Sequence, residues 1–139
     1  MVFRFRIMTT VTEDNQLTLE LQELYCIGKD WIADLNTLNT GLSIQQRLLF
    51  ENAISKKKPG NNENIAEIRI AINNIENRYV KIKKDIERYL NILGPLINKS
   101  NQNYELALIE NHALLEHKTS ALFYAYIEIK ETISKFLQN

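Results

Sequence analysis

The chain has 139 residues, 45% of them apolar and 24% charged, and its seventeen acids and seventeen bases leave a formal net charge of zero. That balance excludes a disordered, charge-extended chain and removes the bulk attraction by which nucleic acid or an anionic membrane would bind. A single cysteine excludes an internal disulfide, which fits a reducing compartment, and two prolines with four glycines are too few for a turn-rich β fold.

The opening "MVFRFRIMTT" alternates apolar residues with Arg4 and Arg6 and lacks the continuous apolar core of a signal peptide. A lone strand there would have nothing to pair with. Residues 1–12 are therefore expected to be a flexible extension, with Met8 as an alternative start, and residues 13–139 a single domain.

From Leu17 onward the pattern changes. Steps of four and three residues run through Leu21, Leu24, Gly28, Trp31, Leu35, Leu38, Leu42, Gln45 and Leu49, keeping one helical face turned toward a partner. This predicts a first helix over about 14–55. Its weak point is "LNTLNTGLSIQQ" (35–46), rich in poor helix formers, where Gly41 and a Ser43/Gln46 pair could stop one helix and cap another. The apolar stripe crosses that stretch without a change of phase, so one helix is expected.

"SKKKPGNNEN" (55–64) then supplies cations that suit a helix C-terminus, a Pro59-Gly60 stop, and Asn64 with Glu67 as a capping-box-like restart. The second helix, expected over 64–93, repeats the rhythm at Ile65, Ile68, Ile72, Ile75, Tyr79, Ile82, Ile86, Tyr89 and Leu93, and Gly94-Pro95 closes it. The third, expected over 101–137, carries the rhythm at Leu108, His112, Leu115, Thr119, Leu122, Tyr126, Ile129, Ile133 and Phe136. Short connections make consecutive long helices antiparallel, so the fold class is all-α, an up-down-up bundle of three long helices with coiled-coil-like packing. The longest unbroken apolar run, Ala121 to Ile127, falls well short of the ~18 residues of a membrane span.

Charge is segregated within the neutral total. Residues 13–55 hold seven acids against Lys29 and Arg47, whereas the second half of helix two concentrates Arg78, Lys81, Lys83, Lys84 and Arg88. Antiparallel packing is expected to bring that basic half beside Asp30 and Asp34.

Both histidines fall on the third helix. Five residues apart, they diverge by about 140° and cannot grip one ion from one helix. His112 and Glu116 share a face at i, i+4, a spacing compatible with ligation, but two further ligands would have to come from helices whose seams carry no His or carboxylate. No metal site is expected. Gly28, Gln45 and Thr119 also break the apolar seam. A rough register sets Gly28 near Tyr89 and His112, which gives two readings: Tyr89 fills the gap with its hydroxyl reaching His112, or Gly28, Tyr89 and His112 line a small cofactor-binding pocket. Packing is the expected outcome. Beside the third seam runs a second apolar stripe, Leu106, Ile109, Ala113, Phe123 and Ile127, which is either enclosed or the face that meets another subunit. There is no Gly-rich phosphate loop, nucleophile elbow or Cys-x-x-Cys pair, and Cys26 has no histidine at helical spacing to activate it.

The segments "LQELYCIGKDWIADLNTL" (21–38), "IENRYVKIKKDIERYL" (75–90) and "HALLEHKTSALFYAYIEIKETISKFL" (112–137) resemble a loose group of small coiled-coil-like helical proteins of Bacteroidetes bacteria, with Trp31 in the first helix and Phe136-Leu137 closing the last. The resemblance implies a helical bundle in a bacterial cytoplasm and implies no activity or site residues. The function expected from the residues is that of a non-enzymatic bundle acting through protein–protein contact or self-association, a dimer first, with no cofactor and no nucleic-acid or membrane partner. The alternative is a small-ligand or metal-binding bundle with a pocket near His112, Tyr89 and Gly28.

Overall fold

The computed structural model describes residues 13–56, 62–97 and 105–138. They form α1 (Glu13–Lys56), α2 (Asn62–Leu96) and α3 (Glu105–Gln138). The N-terminal extension, the Pro59-Gly60 stop and residues 98–104 lie outside the described residues.

Direction follows from the contacts. Along α1, Tyr25 approaches Gly94, Gly28 meets Leu90 and Asn36 bonds Tyr79, so one number rises as the other falls and α1 and α2 are antiparallel. Trp31 lies against His112 and Gly41 against Tyr126, so α1 and α3 are parallel. The bundle runs up, down and up, and α1, at 44 residues, is about 66 Å long.

The core is the predicted seam. Leu24, Leu35, Ile86, Tyr89, Leu93, Leu122 and Ile133 are fully enclosed, each removing its apolar surface from water at a gain of roughly 1.5–3 kcal/mol. Seam positions toward the ends or beside polar neighbours, Gln45, Ile65, Tyr126 and Phe136, are half-buried.

Local chemistry accounts for where the helices differ from expectation. α1 passes Gly41 without a break. Thr37, Thr40 and Ser43 turn their hydroxyls back to the carbonyls of Ala33, Asn36 and Asn39, so these weak helix formers satisfy their polar groups on the helix itself. Asn64, expected as a cap, is the third residue of α2, and the helix begins earlier than its capping-box pattern suggests. At the other end α2 passes Gly94 and includes Pro95 before a turn bond from the Ile97 N–H to the Gly94 carbonyl closes it. Leu96 and Ile97 pack on the core, and that apolar contact holds the extra turn.

The predicted pairing of α1 acids with α2 bases is not made at Asp30 and Asp34, which are exposed. Arg88 instead meets Asp85 one turn back on its own helix at 3.5 Å. Polar contact between α1 and α2 runs through side-chain amides: Tyr79 donates to the Asn36 amide oxygen at 3.0 Å, and the Gln46 amide donates to the Glu76 carboxylate. Exposed ion pairs contribute little against water and salt, whereas a bond to a half-buried amide is retained.

Candidate functional site

Each of the three helices contributes one seam residue to a shared layer. α3 supplies His112, α2 supplies Tyr89 and α1 supplies Trp31. The Tyr89 hydroxyl and His112 Nδ1 are 3.1 Å apart, and the Trp31 and His112 rings pack with centroids 4.7 Å apart and planes tilted by 34°. Tyr89 is 0% and His112 2% exposed, so the pair is sealed from bulk water. On the other edge of the imidazole, Nε2 lies 3.8 Å from the carboxylate of Glu116, which keeps partial access to solvent.

The Glu116 carboxylate, at 3.8 Å too far for a hydrogen bond, favours one tautomer. A neutral imidazole carries one N–H, and the nearby carboxylate favours it on Nε2. Nδ1 is then the acceptor and the Tyr89 hydroxyl the donor. Burial pushes His112 below its ordinary pKa, because a charged ring would lose its hydration, and the Glu116 charge opposes this only in part. Burial likewise pushes the Tyr89 phenol up, keeping it a neutral donor. A neutral acceptor facing a neutral donor is a stable buried pair, not a base poised for proton transfer to a substrate.

Gly28 belongs to the same region, but its partner differs from the one expected. A methyl group on Gly28 would come within 2.7 Å of Leu90 Cδ2, so it is the Leu90 side chain that occupies the space glycine leaves. Tyr89 turns away to His112. Leu90 is one residue off the seam and is nonetheless buried, because the missing side chain at Gly28 admits it. The sequence signal was the glycine; nothing local to Leu90 marks it.

Gly41 and Tyr126 form a second fitted pair. A methyl on Gly41 would overlap the phenol hydroxyl and lie 3.0 Å from the ring carbon that bears it. Among the remaining seam exceptions, Thr119 is buried, and its hydroxyl makes no hydrogen bond among the described residues. Glu20, one residue off the seam of α1, is buried. No three His, Cys, Asp or Glu side chains among the described residues converge as a metal site. His117 faces away from His112, into a groove between α2 and α3.

The second apolar stripe of α3 divides. Phe123 is half-buried against the core and Ile109 is half-buried, whereas Ala113 is exposed and Leu106 and Ile127 remain 68% and 49% exposed. Other uncovered apolar side chains lie elsewhere, notably Ile70 at 69% and Leu114 at 50%. Ile70, Ala71, Asn74, Ala125 and Thr132 line an open groove between α2 and α3, rimmed by Glu67 and Glu128. The same interhelical groove continues past Arg78, Lys81, Asp85, His117, Lys118 and Ala121. The sequence does not advertise it, since its two walls, residues 67–85 and 117–132, are distant in the chain.

Among the described residues no helix is long and apolar enough to cross a membrane. No family model matches the chain, and no curated protein and no solved structure matches it significantly.

Proposed function

We propose that this protein is a non-enzymatic helical bundle that works through its outer faces, by association with protein and first of all with a second copy of itself, in the cytoplasm. One contrast carries the reading. The titratable cluster that could have served a ligand is closed, with Tyr89 bonded to His112 and the space beside Gly28 taken up by Leu90. Uncovered apolar side chains, Leu106, Ile127, Ile70 and Leu114 among them, stand instead on the outside of long exposed helices. A three-helix bundle leaves each helix one unpacked side, and apolar residues there gain by meeting another protein surface.

Mass in solution tests this. Light scattering over a dilution series is expected to rise with concentration from the 16.2 kDa of one chain toward twice that value. A mass fixed at one chain throughout, together with no protein partner captured by the immobilised chain, overturns it.

A further inference from the structure

We infer that the α2–α3 groove seats a second copy of this chain, docked antiparallel about a two-fold axis that crosses the groove near Asn74 and Ala125. The inference rests on the self-association proposed above and names the face that performs it.

The groove is charged oppositely at its two ends. One end is rimmed by Glu67 from α2 and Glu128 from α3. The other presents Arg78 and Lys81 from α2 and Lys118 from α3. Asp85 lies at this basic end, but Arg88 covers it at 3.5 Å, so the cationic surplus stands. Among the described residues none of Glu67, Glu128, Arg78, Lys81 and Lys118 makes an ion pair within the chain.

The spacing is the same on both walls. Glu67 and Arg78 are separated by eleven residues of helix, and Lys118 and Glu128 by ten, which correspond to about 16 Å and about 15 Å along the axis. A patch with plus and minus ends at one separation is complementary to itself when turned end for end. A two-fold operation does this, placing each acidic end on the partner's basic end and satisfying both at once. A parallel docking would set like on like. The floor suits the approach: Ala71, Ala121 and Ala125 are small, and Ile70 at the edge stays uncovered in the single chain. Lys135 lies in the last turn of α3, beyond the acidic end.

The test uses two variants of the full chain. Glu67→Lys with Glu128→Lys makes both ends basic; Arg78→Glu with Lys81→Glu and Lys118→Glu makes both acidic. Circular dichroism checks that each keeps its helices, and sedimentation over a dilution series reads association. Each variant alone is expected to self-associate at least roughly 100-fold more weakly than the unmodified chain, from like charges opposed at both ends. An equimolar mixture is expected to recover a heterodimer, since basic then meets acidic at each end. Variants that dimerise as the unmodified chain does overturn the groove while leaving self-association standing on another face. Weakened variants whose mixture stays monomeric overturn the reciprocal arrangement. An unmodified chain that is monomeric at every concentration removes the parent proposal as well. The unmodified chain offers a second reading that no folding defect can obscure: added salt should weaken its dimer, and indifference to salt counts against the groove.

Discussion

Acid should loosen this bundle at the His112 layer before it touches the rest. The imidazole is 2% exposed, accepts from Tyr89 and packs on Trp31, so its charged form is disfavoured in the folded chain and its pKa lies below the ordinary value. In the unfolded chain the same side chain titrates near 6.5. Below that pH the unfolded state binds a proton that the folded state refuses. The contribution is therefore fully present above about pH 6.5 and lost as pH falls, with a limiting slope of about 1.4 kcal/mol per pH unit until the folded pKa is reached. Between about pH 7 and about pH 5, above the ordinary range of carboxylates, the titration of the unfolded state alone bounds the loss at about 2 kcal/mol. His112→Gln removes the titration while keeping an acceptor for Tyr89. The assay is urea unfolding at several pH values, followed by the fluorescence of Trp31, the chain's one tryptophan. The unmodified chain should lose stability over this window relative to His112→Gln. Parallel profiles for the unmodified chain and His112→Gln would refute the reasoning. A chain that instead gains stability with acid would mean that the attraction of Glu116 at 3.8 Å outweighs the desolvation.

The two fitted glycines give sharper mutational signs. Gly28→Ala gains about 1 kcal/mol of helix propensity but drives a methyl to 2.7 Å from Leu90 Cδ2, and overpacking of this kind costs about 1–3 kcal/mol, so a net loss is expected by chemical denaturation. In a Leu90→Ala background, itself less stable by about 2–5 kcal/mol, the same substitution should become stabilising. No change of sign between the two backgrounds would mean that Leu90 does not occupy the space. Gly41→Ala gains about 1 kcal/mol of helix propensity but makes the half-buried Tyr126 phenol swing aside, so adding Tyr126→Phe, which removes the overlapping hydroxyl, should raise the melting temperature of the Gly41→Ala chain.

The seam was legible because its signal is redundant. Each of three helices repeats the four-three rhythm for eight or more positions, so no single exception such as His112 or Thr119 could shift its phase. The Tyr89–His112 bond was legible for the same reason, since two seam positions fixed by phase and a rough register can be brought within one bond length. What escaped was decided one residue off the seam or between helices. Leu90 is buried only because Gly28 on another helix lacks a side chain, and Phe123 sinks toward the core while Ile127, one turn on, does not. The opposed charges of the α2–α3 groove escaped altogether, because Glu67 acquires Glu128 as a neighbour only once the chain has doubled back. Helix ends were displaced by forces the local pattern does not contain, as when the packing of Leu96 and Ile97 carries α2 through Pro95.

A seam of repeated apolar residues has a weakness that the polar layer repairs. Moved by one heptad, about 10 Å, α3 would still present apolar side chains to α1 and α2 at most positions, so apolar burial alone distinguishes such registers poorly. The fitted residues distinguish them well. A slip of seven would set Thr119 where His112 now accepts from Tyr89 and would carry Tyr126 away from the gap at Gly41. The Thr119 hydroxyl can accept but sits on a shorter side chain than the imidazole; a buried phenol whose bond is lost costs about 1–3 kcal/mol, and a bulky ring driven against a side chain instead of a glycine costs a similar amount. The consequence reaches the surface. The register of α3 against α2 determines that Glu128 stands with Glu67 and Lys118 with Lys81, and a heptad slip would scramble both ends of the groove. The buried histidine layer, which gives up apolar burial to make the Tyr89–His112 bond, thereby holds in alignment the charge pattern on which the proposed docking of a second copy would depend.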